Sequence, residues 1–563
     1  MPENLTRPRN DERGGDAPPT GEAAGDDPSL AAAASLLAAG RADAAWVLCR
    51  PALAAGARTP GWLALAGRVL LALDRPAAAE PVLALAAATA RPDEAADLGL
   101  FTLWGVALRR LGRVPQAEPV LRMALRLSPR DALCHSNLAA VLRALDRLAE
   151  AEDAARAALT LDPGLINGHV NLASILLAQG RPSLALAASR RALAAEPAQA
   201  EALYTQAAAL QALGDLPGAA EAWAAGVQAH STDARLVFGR ANLDLARGDL
   251  AAGWAGYAAR LAAEPQRFRA VPDLPAWRGQ PLDRPLLIWR EQGLGDELMF
   301  ATCYAAAIAA AGSAVVRCDP RLVGLFSRAF PGAQVVAEAR GQETGGEGAA
   351  PDPVEGRAVA QAAAGSLPGL LRGHLADFRG AAGYLRARDD LVPPWRRRLA
   401  DLDGDGPRTL KVGLCWRSGL AVESRAGRQS DLADWTPLLA LPGVTAITLM
   451  YGDTEGERAA LRALAPRHFA DLDQRDDLDG LAALLSCLDL VVTAPTATGE
   501  LAGALGVPVW RLAGELDVTC LGTGARPWFP SMRVFRTGAR DRRDVIHDMA
   551  GQVASGMRLG LVP

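Results

Sequence analysis

Residues 137–163 read NLAAVLRALDRLAEAEDAARAALTLDP. The run Asn137-Leu138-Ala139-Ala140-Val141-Leu142 puts apolar side chains on one stripe of a helix. Asp146 is a residue that accepts the left-handed backbone closing such a helix. Ala151, five residues on, is small enough to let a second helix lie close to the first. Pro163 ends the second helix, because proline lacks an N–H and clashes with the preceding turn. One such pair cannot bury its own apolar face, so pairs must stack.

The same punctuation recurs on both sides of this stretch. A Gly-Arg, Asp-Arg or Gly-Asp pair starts at Gly40, Asp74, Gly112, Asp146, Gly180, Gly214 and Gly248, in steps of 34 residues with one of 38. A small residue follows each marker at Ala45, Ala79, Ala117, Ala151, Ala185, Ala219 and Gly253, and prolines close units at Pro129, Pro163 and Pro197. This pattern resembles the tetratricopeptide-repeat (TPR) family over residues 29–265. The resemblance implies an α-solenoid, a TPR superhelix with a concave surface. Asn137 and Asn171 share one register position on the helices expected to line that surface. An asparagine amide both donates and accepts, so it can hold a peptide backbone without reading its side chains. The equivalent next positions are Thr205 and Gly239, so the series is short. The plainer alternative is that both asparagines only bridge adjacent repeats.

Composition bounds the remaining options. A chain of 563 residues is too long for one core. Half of it is apolar and 22% is charged, with a net charge of −4, so nothing points to a nucleic acid or an anionic membrane. Lys411 is the only lysine, which, with the abundant alanine, reads as GC-rich codon usage and carries no functional signal. Seven scattered cysteines without a CxxC or Cys/His cluster argue against a disulfide framework or zinc site and for a reducing, cytoplasmic location. Residues 1–28 are polar and expected to be a disordered tail with no signal peptide. No uninterrupted run of about 20 strongly apolar residues suggests a membrane span.

The 34-residue register stops after Arg260, and 266–284 reads as a proline-rich linker. Pro285-Leu286-Leu287-Ile288-Trp289-Arg290 suits a buried strand. It is followed by Glu291-Gln292-Gly293-Leu294-Gly295-Asp296-Glu297, a helix expected over 298–311, and a strand over 313–318. That βαβ unit begins one α/β half at 285–401; a flexible insertion is expected at 341–356. A second half, 408–563, opens with Leu410 to Gly419 and alternates strand-like runs at 444–451, 488–493 and 507–512 with helical stretches. The Gly-rich turn does not complete a dinucleotide fingerprint, because Leu298 stands where the last glycine belongs. No nicotinamide or flavin is therefore expected.

Three motifs carry a further resemblance: Trp289 to Asp296, Val412 to Gly419, and Leu501 to Trp510. They look like those of bacterial TPR proteins with a C-terminal GT-B glycosyltransferase domain of the heptosyltransferase (family 9) type. The resemblance implies two Rossmann-like halves facing a cleft, no metal, no cofactor beyond a nucleotide-sugar donor, and a protein acceptor held by the TPR arm, flagellin among the candidates. It implies that Asp296 is the general base; an N-capping role is the alternative, and Glu291 or Glu297 could substitute. Gly293 and Gly295 let backbone approach a ligand. Arg417 and Ser418 lie where the family binds donor phosphates, and Arg425 and Arg428 flank the same turn. Thr496 starts the helix that would cradle phosphate. The family pattern departs at Pro495 and Glu500, where an Asp and a His are usual. Glu500 would accept hydrogen bonds from sugar or ribose hydroxyls. The acidic run Asp473 to Asp479 reads as a helix N-terminal cluster and not as a metal site. Two functions follow as expectations: a glycosyltransferase acting on Ser/Thr hydroxyls of a polypeptide, or a protein-binding scaffold whose GT-B domain has lost transfer activity.

Overall fold

All seven turn markers of the repeat take a left-handed backbone, with φ between 52° at Asp74 and 87° at Gly248. Asp74 and Asp146 do so although they carry a Cβ, which short polar side chains tolerate better than others. The small residues that follow are buried: Ala45, Ala79, Ala117, Ala151, Ala185 and Ala219 are all 0% exposed. A Cβ on Gly253 would sit 2.5 Å from Leu245 Cγ. Close approach also uses glycine on the facing helix. At Gly67 and Gly105 an added Cβ would meet Leu83 and Leu121 at 2.4 and 2.5 Å. The 38-residue step holds an extra short helix, Pro92–Asp97, and a left-handed Gly99, placed ahead of the helix Leu100–Arg110.

The computed structural model describes residues 28–263, 273–338, 357–378, 383–417, 430–452, 454–514, 516–538 and 540–559. The expected tail and the expected insertion at 341–356 fall outside these residues. The chain divides into two compact units, Met1–Gly168 and His169–Pro563, and the division falls within the helix Ile166–Ala178. Among its described residues the first unit is helical, from Pro28–Ala38 to Leu148–Leu161.

The second unit combines the later repeat helices with two parallel sheets. The first sheet is built from β1 (Leu286–Trp289), β2 (Ala314–Cys318), β3 (Ala333–Ala337) and β4 (Ala360–Ala363), in the order β3-β2-β1-β4. The second has β5 (Leu410–Cys415), β6 (Val444–Thr448), β7 (Leu490–Thr493), β8 (Val509–Ala513) and β9 (Met532–Arg536), in the order β6-β5-β7-β8-β9. All neighbours pair in parallel, which explains strands such as β1 and β5 that are buried at every position. Strand order reverses between β1 and β4 in one sheet and between β5 and β7 in the other. Open sheets of this kind place ligands outside the strand carboxyl ends at such reversals.

One buried cluster includes Leu245, Leu250 and Tyr257 from the last repeats together with Ile288, Phe300, Leu414 and Phe529 from both sheet regions. The final repeat turn, at Gly248, packs backbone against backbone on Gly522, where an added Cβ would lie 2.5 Å from Gly248 N. The stretch expected as a linker is partly built into the sheet. Trp277 N–H donates to Gln361 O at 2.8 Å, Gln361 N–H donates to Pro275 O at 2.9 Å, and Trp277 is buried. Its indole is the apolar element that a reading of the prolines alone overlooks. The segment Leu294–Ala311 is apolar enough on average to cross a bilayer, but it is a broken helical run whose window is half buried.

Candidate functional site

The strand ends at the two reversals carry most of the residues singled out in the sequence. Gly293, Gly295 and Asp296 follow β1, Arg417 follows β5, and Thr496 and Glu500 follow β7. Ser418, Arg425 and Arg428 lie outside the described residues.

The helix after β1 runs Leu294–Phe300, four residues earlier than expected, with Gly293 at its N-cap position. Glycine there imposes no side chain, and the acidic pair Asp296-Glu297 in the first turn suits the positive helix end. Asp296 is therefore inside the first turn and is not the N-cap. Its carboxylate instead accepts the Gly293 N–H. Part of Asp296 remains open to solvent while its carboxyl is desolvated. Burial pushes it up to about 6; Glu500 and, more weakly, Glu291 add to the shift, while the Gly293 N–H and Arg526 oppose it. A carboxyl that titrates close to neutral pH is suited to moving a proton.

The neighbouring carboxylates are differently placed. Glu291 is buried, receives Arg260 Nε and Nη2 at 2.5 and 2.7 Å, and accepts the Gly365 N–H at 2.5 Å. Arg260, 1% exposed, also donates to Ser366 Oγ at 2.9 Å and to Tyr257 O at 3.0 Å. Its guanidinium lies 4.7 Å from the centre of the Tyr257 ring. Glu297 is fully enclosed beside Arg290 at 2.9 Å and accepts the Asp319 N–H at 3.1 Å. Burial pushes Glu297 up to about 8, with Arg290 opposing. Enclosure removes Glu297 from contact with a substrate, and its pair with Arg260 occupies Glu291. Asp296 alone of the three keeps an open edge.

Thr496 caps the helix Ala497–Ala504, accepting the Gly499 N–H at 3.3 Å, and its hydroxyl lies 2.9 Å from Thr493 Oγ1. Glu500 is not turned to open space. It is buried, 2.7 Å from Arg526 Nη2 and 3.7 Å from Arg511 Nε. Arg526 also donates to Thr519, and Arg511 to Asp517. Arg417 forms a two-point pair with Glu457, at 3.2 and 3.0 Å, and Trp416 Nε1 donates to the same carboxylate at 3.3 Å. Gly295 lies against the start of the second helix: a Cβ there would be 3.4 Å from Glu500 Cγ and 3.5 Å from Ala497 Cα. Arg260, Arg511 and Arg526 carry no signal of their own in the sequence. Arg260 and Arg511 reach partners across different elements, and only the arrangement of the core brings them together.

A cleft of about 570 Å³ opens beside this group, lined by Trp254, Tyr257, Arg260, Trp277, Ser366 and His374 among others. The Tyr257 side chain bonds the Gln292 side chain, four residues before Asp296. No group of three or more metal-ligating side chains occurs among the described residues, and Asp477 serves as N-cap of the helix Leu478–Leu485, accepting the Gly480 N–H at 2.8 Å.

Asn137 and Asn171 are each the sixth residue of their helices, Ala132–Ala144 and Ile166–Ala178. Asn137 Nδ2 donates to Leu133 O at 2.9 Å. At the same position in the next two repeats, Thr205 is buried and donates to Glu201 O at 2.8 Å, and Gly239 is covered by Trp223. The polar series therefore ends in packing.

The tetratricopeptide-repeat family model matches residues 102–166 and 170–234. Protein FlbA of Caulobacter vibrioides is 36% identical over 291 residues, covering 50% of this chain and 48% of the relative, so the chain spans about half the length of the curated relative it matches. A chain of the APC/C hetero-tetramer Cut9-Hcn1 aligns at 15% identity over 42% of this chain and 46% of its own, with a TM-score of 0.38. A thermophilic TPR protein of Thermus thermophilus aligns at 29% identity over 33% of this chain and 98% of its own, with a TM-score of 0.29. The turn geometry, the buried small residues and the family match together make the N-terminal half of this chain a solenoid of tetratricopeptide repeats.

Proposed function

We propose that the chain is a metal-independent glycosyltransferase of the GT-B type that accepts a polypeptide through its repeats and moves a sugar from a nucleotide-sugar donor to a Ser/Thr hydroxyl. The observation that carries this reading is Asp296, an open-edged carboxylate at a strand-order reversal whose proton affinity is raised by burial, beside Glu291 and Glu500, which are each paired with arginine. In the reaction the acceptor hydroxyl passes its proton to the Asp296 carboxylate. Its oxygen bonds the anomeric carbon as the bond from that carbon to the donor phosphate oxygen breaks, and the nucleotide diphosphate leaves with the electron pair. Developing positive charge on the sugar and negative charge on the phosphate make electrostatics the main source of rate. Gly293 and Gly295 leave room for backbone contact with the donor. Thr496 heads the helix whose free N–H groups would face phosphate, and Arg417 would exchange Glu457 for phosphate oxygens, with Ser418 next to it. The cleft beside Tyr257 and Arg260 has the volume to admit an acceptor side chain. Asn137 and Asn171 would hold the acceptor backbone. Flagellin is the first acceptor to test, as the resemblance implies, and a cytoplasmic reaction before export fits the free thiols.

Titration calorimetry of the full chain against a panel of nucleotide sugars tests this reading. One donor should bind with release of heat, and the corresponding free nucleotide diphosphate should compete. Absence of binding to every donor would favour a second reading, a TPR scaffold with a non-catalytic α/β part. That reading has its own support: Glu500 stands where the family uses His and is fully engaged by arginines.

A further inference from the structure

Four carboxylates gather around the first turn of the helix Leu294–Phe300 and the start of the helix Ala497–Ala504: Glu291, Asp296, Glu500 and Asp517. Three arginines answer them. Arg260 pairs with Glu291, Arg526 with Glu500, and Arg511 with both Glu500 and Asp517. Asp296 has no arginine of its own among the described residues; its partner is the Gly293 N–H. Fully ionised, the cluster holds one more negative than positive charge, and a proton on Asp296 makes it neutral.

Glu500 cannot turn away from this arrangement. It is 5% exposed, it is tied to Arg526 at 2.7 Å, and its Cγ packs against Gly295, the residue before Asp296. We infer that Glu500 is a positioning residue for Asp296: locked between Arg526 and Arg511, it keeps a fixed negative charge beside Asp296 and makes Asp296 the carboxylate of the cluster that exchanges a proton. The inference rests on the reading of Asp296 as the base, and it replaces a direct sugar-hydroxyl contact for Glu500. Every charged group facing Asp296 enters the balance. Glu500 comes from the helix Ala497–Ala504, Arg526 from the loop before β9, and Glu291 from the turn after β1. Tyr257, from the repeat helix Leu250–Tyr257, is kept neutral by burial. Glu500 is the strongest of the charged contributors to the raised proton affinity of Asp296.

The test compares thermal stability across pH for the full chain and its Asp296→Asn variant, first with Glu500 present and then in a Glu500→Gln background. The stability difference between the chain with Asp296 and its Asp296→Asn variant forms a titration curve whose midpoint reports the carboxyl without needing turnover. With Glu500 in place the midpoint should fall near pH 6. In the Glu500→Gln background it should move down by about one pH unit, the scale set by removing a neighbouring like charge. The acid limb of the pH–rate profile should move the same way. An unmoved midpoint would overturn the inference, because a group that merely balances Arg526 changes stability at every pH alike. Should Glu500→Gln fail to fold, Glu500→Asp decides the matter: the shorter side chain keeps the arginines paired but withdraws the charge, so a smaller downward shift is expected and no shift is the contrary result. A shifted midpoint in a chain that transfers no sugar would leave the coupling standing and remove the enzyme reading.

Discussion

Asp296 carries a cost that a purely structural residue would not need. Its folded carboxyl titrates near 6 and an unfolded aspartate near about 3.9. Between those values the folded chain holds the proton more tightly, so stability falls as pH rises through the window and the loss is complete above about pH 6. Asp296→Asn should therefore match wild type in melting temperature below about pH 4 and exceed it at pH 7 to 8. Turnover should fall by about 10²- to 10⁴-fold, because the amide cannot take the proton. Wild-type rate should rise with pH to a plateau above about pH 6, since the base works ionised. A rate unchanged in the Asn variant would reject Asp296 as the base. The Arg260–Glu291 pair behaves differently. Arg260→Ala strands a buried carboxylate and should cost about 3–5 kcal/mol in denaturant melts. The double variant Arg260→Ala/Glu291→Ala should cost less than the sum of the two single changes. The place of Asp296 beyond the end of a strand was legible in the sequence because it follows a glycine turn after an apolar run. Arg260 was not, because nothing near it in sequence names a partner 31 residues away.

At the scale of elements, the repeat was legible almost to the residue, since each marker needs a particular backbone and each following position a particular size. That logic is testable at two sites. Gly239→Ala would place a Cβ 2.2 Å from the Trp223 ring and should cost about 1–3 kcal/mol by overpacking. Asp146→Ala should lose about 1 kcal/mol, whereas Asp146→Gly should not, because φ there is 60°. Thermal melts of the full chain check both. The sheets were less legible. β4 reads AQAA and has no β-branched residue, so only its place beside β1 makes it a strand. β3 is partly open along its length and sits at the edge of its sheet. The helix Leu294–Phe300 begins earlier than its apolar content suggests, because Gly295, Asp296 and Glu297 follow Leu294 in its first turn.

For the whole molecule, the last repeats are not a body separate from the sheets. Leu245, Leu250 and Tyr257 belong to the same core as the sheets, and Arg260 reaches into the turn after β1. A chain starting at residue 165 keeps the second unit entire and should unfold in a single cooperative transition. A chain starting at 266 loses those contacts and leaves Glu291 unpaired, so it should melt far lower or stay insoluble. Equal stability of the two would contradict a shared core. Intact-mass spectrometry decides whether the chain transfers sugar to protein. Secreted proteins are compared from cells expressing the wild-type chain, the Asp296→Asn chain, or neither. At least one protein should carry sugar-sized mass increments with the wild-type chain and lose them in the other two. Identical mass profiles in all three would contradict such transfer.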